Sequence, residues 1–288
     1  MIVWVLFAVL GAVFDAAYYA LVKRGVMHIG SRILAAGTFL ISAGILLSIS
    51  AARGFPEIGD WFGPAVIGSA SVNIIAAVLY FRALRMTDLS LAIPMISFTP
   101  VFLIVTSAIM LDEHPSVMGM VGIIGIVAGI YILNMTTGSA GLLDPFQRLV
   151  RDPGILAMLG VAFLFALAGN FDKIVLQNSD PVFGSSFVLL IIGVFFLIGA
   201  ILSPEPGDGF CKKTLPLFAA TGIVLALSVI TINVALSLQI VPYVISIKRL
   251  SILITVVYGG LLLREQNFRM RALGAIVMVG GSALVILC

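Results

Sequence analysis

Two stretches, Ser107-Ala-Ile-Met-Leu-Asp-Glu113 and Gly259-Gly-Leu-Leu-Leu-Arg-Glu265, close on a glutamate after the same kind of apolar run. Each leads into a glycine-studded apolar segment, ending in Ile130-Tyr-Ile-Leu133 in one case and Leu284-Val-Ile-Leu287 in the other. The offset between them is 152 residues. It holds without a gap from Ala83-Leu84 and Ala235-Leu236, through Gly122 and Gly274, to Gly129 and Gly281. The chain is written twice, so whatever one half shows can be checked against the other.

Composition names the solvent. Of 288 residues, 61% are apolar and 10% charged, and mean hydropathy is +1.22. A soluble domain carries about a quarter of its residues as charges, so this chain has too little polar surface to face water. The partner is a lipid bilayer. A net charge of +3, spread over short loops with no basic run or aromatic-interleaved patch, excludes nucleic acid. Cys211 and Cys288 allow at most one disulfide and give no metal-ligand spacing, and no cofactor is expected. The opening Met1-Ile-Val-Trp lacks a basic region, its apolar run carries Asp15, and no small-residue cleavage site follows. We read a retained helix there and not a signal peptide.

A bilayer core needs about 20 apolar residues per helix. On that measure ten spans are expected, over 2–22, 31–50, 61–84, 89–111, 116–134, 154–176, 185–203, 214–238, 241–263 and 270–288. The break at Leu238-Gln-Ile-Val-Pro242 is weak, and the repeat supplies it, because the equivalent stretch around Asp88 is plainly a loop. The fold expected is an all-α polytopic membrane protein. Residues 1–134 form a first repeat of five transmembrane helices, 135–153 a connecting loop, and 154–288 a second repeat of five. Within the loop, 141–150 forms a short amphipathic turn on the membrane surface or stays solvated. An odd number of spans makes the second half enter from the opposite side, so the repeats are inverted. Lys and Arg gather in the odd-numbered loops, which places both termini outside by the positive-inside rule.

Charges within spans are the first functional pointer, since each costs at least about 2.5–3.5 kcal/mol at mid-helix. Asp15 lies 13 residues into the first span, roughly 20 Å along it at 1.5 Å per residue. Asp172 and Lys173 sit late in the sixth, and the shared Phe14-Asp15 and Phe171-Asp172 pairs put a carboxylate at similar depth in each half. Lys248 and Arg249 lie about two turns inside the ninth span, flanked by Ser246 and Ser251. On one reading these groups pair as structural glue or snorkel to the interface. On the other, Lys248 and Arg249 receive a carboxylate or phosphate, with Asp15, Asp172 or Lys173 as counter-ion or proton relay.

Prolines are the second pointer. Pro94 and Pro100 in the fourth span each delete a backbone hydrogen bond, and Pro242 enters the ninth, its repeat mate. Bared carbonyls within a bilayer are tolerated only against protein or a wet cavity, which marks these as helix breaks or gating points. Asn73, Tyr80, Asn233 and Tyr243 lie in or beside the same helices and are candidates to line that cavity. Met95, Phe98 and Phe102 read as filler. The glycines of the fifth and tenth spans let backbones approach closely, as scaffold or as the face of a homodimer.

Ten spans in two halves, a glutamate closing the fourth and ninth (Asp112-Glu113, Arg264-Glu265) and a glycine-rich helix after each resemble the drug/metabolite transporter superfamily, specifically its EamA-type members. The resemblance covers essentially the whole chain. Ile247-Lys248-Arg249-Leu250-Ser251 sharpens it, since many relatives carry a similar Lys-Arg-x-Ser there. In the related plastid phosphate translocators a Lys-Arg pair at the corresponding place grips phosphate. The resemblance implies a central cavity lined by the first, third, fourth, sixth, eighth and ninth spans, with the fifth and tenth standing aside. It also implies cytoplasmic termini, the reverse of the Lys/Arg tally.

The function expected is therefore not enzymatic. It is secondary transport of a small organic metabolite carrying an anionic group, across the cell membrane, by alternating access, as exporter or exchanger. No ATP-binding P-loop pattern is present. The alternative in the same class is a translocase for a lipid-linked sugar or lipid carrier. The remote alternative, an intramembrane enzyme, has only His28 and His114 to offer, both at loop edges.

Overall fold

The computed structural model describes residues 3–26, 29–84, 86, 95–134, 152–204, 214–254 and 268–288. Among them are ten helices and no strand: α1 (Val3–Gly25), α2 (Ser31–Arg53), α3 (Phe62–Leu84), α4 (Thr99–Leu111), α5 (Val117–Asn134), α6 (Pro153–Gln177), α7 (Phe183–Leu202), α8 (Leu215–Leu238), α9 (Val241–Lys248) and α10 (Phe268–Leu287). One helix falls in each expected span. In lipid a helix satisfies its own backbone polar groups within one segment, which suits long apolar stretches such as these. Six of the described helices are long and apolar enough to cross a bilayer. Pro94, the Asp88 loop, residues 135–151 and the phrase ending at Glu265 lie outside the described residues.

The chain forms two compact units, and neither is a sequence repeat. Unit one takes 3–71 and 171–238; unit two takes 72–170 and 239–288. Each unit therefore draws helices from both halves of the sequence.

In unit one α8 runs antiparallel to α1 and parallel to α2. Along α1, Val3, Leu6, Leu10 and Val13 form an exposed apolar stripe. Ala8, Gly11, Ala12, Asp15 and Ala16 form the buried one. Gly11 packs against Ile232 and Thr231 of α8. On α2, Gly37 takes the Phe218 ring and Gly222 takes Ile41. Ser42 Oγ donates to the Gly222 carbonyl at 2.8 Å, and the hydroxyls of Thr38 and Thr221 are 2.8 Å apart. The repeat mates α2 and α7 also run antiparallel: Leu40 fills the space over Gly193, and Arg32 at the start of α2 donates to the Ser203 carbonyl at the end of α7 (2.7 Å). That cation sits where the α7 dipole is negative.

Unit two contains the clearest trace of the repeat. A Cβ on Gly122 of α5 would stand 2.7 Å from the Gly281 carbonyl of α10, and one on Gly129 would stand 2.7 Å from the Gly274 carbonyl. Gly274 is the repeat mate of Gly122, and Gly281 of Gly129. Residue i meets the mate of j while j meets the mate of i, which is the signature of a two-fold axis. The two helices must therefore be antiparallel. The ridges face each other inside the chain, whereas Gly280, next to Gly281, has open space where a Cβ would stand.

Two expected spans are not single helices. In the fourth, residues 95–96 are helical, Ser97 and Phe98 form a turn, and α4 starts at Thr99. In the ninth, α9 stops at Lys248, Arg249 forms a turn, and 250–254 are helical again. Adding the 152-residue offset to Ser97 gives Arg249, so both mates break at one register.

Candidate functional site

The fourth-span break follows from Pro100. With no N–H, Pro100 leaves the Ile96 carbonyl, four residues back, without its helical donor. Thr99 Oγ1 donates to that carbonyl at 2.8 Å. Around it the ladder tightens, with Phe98 N–H bonded to the Met95 carbonyl (3.2 Å) and Val101 N–H to the Phe98 carbonyl (2.9 Å). Ser97 and Thr99 are buried. The ninth-span break has no proline in it. Arg249 N–H is shared at 3.2 Å between the Ser246 carbonyl, three residues back, and the Ile245 carbonyl, four back, and Ile252 N–H reaches the Arg249 carbonyl at 3.0 Å, three back. Short stretches of this tighter helix inside longer ones are common at hinges. Ser246 Oγ donates to the Pro242 carbonyl at 2.6 Å, and Lys248 and Arg249 are half-buried at the turn.

The eight-residue α9 is held at its other end. α4 terminates at Asp112, whose left-handed backbone (φ 56°) turns its N–H back to the Ser107 carbonyl. That turn delivers Glu113, whose Oε2 accepts the N–H of Val241 at 2.7 Å. A carboxylate at a helix N-terminus is favoured by the free donors and by the dipole. Pro242 sits in the first turn, where its missing N–H leaves no donor unserved. Next to it the Tyr243 hydroxyl accepts Ser116 N–H at 2.9 Å and lies 3.2 Å from Ser116 Oγ; glycine at 119 leaves it room. Asn170 of α6 is fully buried; its Oδ1 accepts Ser107 Oγ at 2.8 Å. Tyr80 of α3 packs into a cluster with Met95, Tyr131, Ile155 and Met158, beside the fourth-span break. Asn73 is half-buried on the same helix.

The remaining expected residues belong to unit one. Asp15, 5% exposed, accepts Ser228 Oγ of α8 at 2.5 Å. Asp172 of α6 accepts Ser69 Oγ of α3, also at 2.5 Å. In each pair the first span of one repeat meets the third span of the other. The depths are not alike, however. Asp15 is 10 residues from the end of α1 and Asp172 is 5 from the end of α6, which is about 15 Å against 7.5 Å of helix. The serines shift accordingly: the register mate of Ser69 is Thr221, seven residues before Ser228. Lys173 Nζ donates to the Leu236 carbonyl in the last turn of α8, where a cation is favoured. Asn233 Nδ2 donates to the Pro181 carbonyl at 3.0 Å and to Ser185 Oγ, and so fixes the start of α7.

The expected residues thus fall into two groups. Lys248, Arg249, Tyr243, Pro242, Pro100, Tyr80 and Asn73 are in unit two; Asp15, Asp172, Lys173 and Asn233 are in unit one. Ser69, Ser228, Ser107, Asn170, Thr99 and the capping role of Glu113 were not singled out from sequence. Serine and threonine inside apolar helices are common, and only a partner's position distinguishes a structural one. For Glu113 a signal existed, since a glutamate recurring after both fourth and ninth spans calls for a specific acceptor.

A model of the EamA-like transporter family matches residues 2–135 and again 152–287. No curated protein matches the chain. Among solved structures, one described only as a crystal structure of a protein is 17% identical, with 99% of this chain and 98% of that chain covered and a TM-score of 0.81. At that identity the likeness shows the fold alone. Two matches to one family model, covering nearly the whole chain and separated at the connection between the repeats, agree with the doubled helical architecture. The chain belongs to the EamA-like transporter family, within the drug/metabolite transporter superfamily of integral membrane proteins.

Proposed function

We propose that this protein is a secondary transporter of the cell membrane that moves a small organic metabolite carrying an anionic group, by alternating access, as an exporter or exchanger. One observation carries the reading: the fourth and ninth spans, repeat mates packed on each other in unit two, are interrupted at the same register, and the ninth bears Lys248 and Arg249 at its interruption. Interrupted helices supply backbone polar groups and helix ends to a substrate where a continuous helix offers neither. A lysine and an arginine there favour a carboxylate or phosphate, with arginine able to grip two oxygens at once. In this reading Tyr80 and Asn73 line the approach. Tyr243 and Asn233, whose polar groups hold Ser116 and the start of α7, position helices. Asp15, on the buried stripe of α1, acts as counter-ion or proton relay, with Asp172 and Lys173 the second such set. Pro100 marks where the fourth span gives way, and Pro242 marks the start of α9.

The test is a thermal-shift screen of purified protein against amino acids, soluble sugar phosphates and lipid-linked sugars. A ligand at one hundred times its dissociation constant stabilises the folded state by about 2.7 kcal/mol. Soluble anionic compounds should stabilise, and counterflow of the best of them in proteoliposomes should fall at least about tenfold in Lys248→Ala, as expected when a charged contact of roughly 1.5–3 kcal/mol is removed. Undiminished counterflow by Lys248→Ala refutes the anion-binding role. Stabilisation by lipid-linked sugars alone supports the lipid-carrier alternative instead.

A further inference from the structure

Between α2 and α3 the chain passes through Gly54-Phe-Pro-Glu-Ile-Gly-Asp-Trp61. Three large apolar side chains of that loop face outward: Phe55 is 68% exposed, Ile58 58% and Trp61 67%. The display is built and held. Gly59 N–H donates to the Asn178 carbonyl at 2.9 Å, and Trp61 N–H donates to Asn178 Oδ1 at 3.3 Å. Asn178 Nδ2 is tied in turn to the Ile174 carbonyl at 2.9 Å, and a Cβ at position 59 would run into the Asn178 side chain. Phe55 sits edge-on to Phe183, with centroids 5.6 Å apart, and Phe183 contacts Phe62 and Phe187 at 5.7 and 5.0 Å. Fixed clusters of exposed apolar side chains mark an interaction surface.

The neighbouring helices identify the partner. α2 ends at Arg53 and α3 starts at Phe62, and both are long and apolar enough to span a bilayer, so the loop lies where a span leaves the hydrocarbon. The exposed side of α3 continues from it: Trp61, Pro64 and Ile67 are exposed, whereas Ala65, Val66, Ser69 and Ala70 are buried. Tryptophan collects at that boundary because its ring is apolar and its N–H still finds a polar partner. The exposed charges are Arg53, Glu57 and Asp60, which sum to −1 and give no attraction for anionic headgroups.

We propose that residues 54–61 lie in the headgroup layer of zwitterionic lipid, with Phe55, Ile58 and Trp61 reaching the acyl-chain boundary and anchoring this end of α2 and α3. The sequence has two tryptophans, and Trp4 is 5% exposed, so Trp4→Phe leaves Trp61 as the sole reporter. The full-length variant, reconstituted in phosphatidylcholine vesicles, should lose roughly half or more of its emission to lipid brominated near the carbonyl end of its chains. Lipid brominated near the terminal methyl should quench less, aqueous iodide should quench little, and added phosphatidylglycerol should change nothing. Should Trp4→Phe fail to fold, the difference between wild type and Trp61→Phe reports the same quantity. Quenching by iodide with none by brominated lipid puts the loop in water and overturns the proposal. Shielding from both quenchers means protein covers the loop and overturns it as well. Stronger shallow quenching on adding phosphatidylglycerol overturns the assigned lipid class.

Discussion

Thr99 repairs what its neighbour removes. Its hydroxyl serves the Ile96 carbonyl that Pro100 cannot, at a buried position where water is a poor substitute. Thr99→Val keeps the shape and deletes the donor, so an unserved buried carbonyl should cost about 1–3 kcal/mol, read as a lower midpoint of thermal unfolding in detergent. Thr99→Ser should stay near wild type, and equal losses in both variants would show that the hydroxyl is dispensable. Glu113 likewise serves a backbone group, at the head of α9. Glu113→Ala should cost about 1.5–3 kcal/mol and Glu113→Gln less, since the amide oxygen still accepts the Val241 N–H. A midpoint that separates Ala from Gln checks this, and identical midpoints contradict it. At this scale the residues that the sequence singles out are those whose presence in a span is itself anomalous: Lys248, Arg249, Asp15 and Pro100. Ser228 and Ser69 were illegible because a serine that serves a carboxylate and one that bonds its own helix, as Ser42 also does to Thr38, look identical in sequence.

Helices reveal more of themselves than residues do, because length, apolarity and the doubled sequence agree. The exceptions are instructive. A break in the fourth span was readable from its prolines. The one at Arg249 was not, because Ile247-Lys248-Arg249-Leu250-Ser251 contains neither glycine nor proline and reads as an ordinary helix. It is visible only in the backbone, where Arg249 forms a turn at the register mate of Ser97. The glycine ridges were readable as close-packing faces, but not which face meets which. Gly281 meets backbone atoms of Gly122 and Ile126 within 2.6 Å of an added Cβ, while Gly280, one residue away, meets nothing within 4 Å. Backbone cannot yield as a side-chain tip can, so Gly281→Ala must push α5 and α10 apart, at the roughly 1–3 kcal/mol of overpacking. Gly280→Ala should leave the unfolding midpoint unchanged. A homodimer using the tenth helix would have the Gly280 side available to it, and Gly280→Trp is the variant whose sedimentation behaviour tests that contact without disturbing the ridge.

For the whole molecule, the units of packing are not the units of sequence. Residues 1–134 and 154–288 are each a repeat by composition, yet α1 and α2 pack on α8, α2 on α7, α4 on α9 and α5 on α10, so every one of these pairings crosses from one half to the other. Single helices of this apolarity insert into a bilayer on their own, and association follows from packing and hydrogen bonds between them. A chain opened at the connection near residue 145 should therefore still assemble if both pieces are made together. Residues 1–145 alone would leave the buried stripe of α1, with Asp15, and the face of α2 that holds Ser42 and Thr38 without the α8 groups that satisfy them. Unpaired polar groups in hydrocarbon cost several kcal/mol each, which makes the lone half a target for proteolysis or aggregation. Co-expressed halves, one carrying an affinity tag, should co-purify and unfold in a single transition, while either half made alone should fail to yield a monodisperse species. A stable, monodisperse half would mean that each repeat packs on itself and would contradict the crossed pairing that Gly122–Gly281 and Gly129–Gly274 describe.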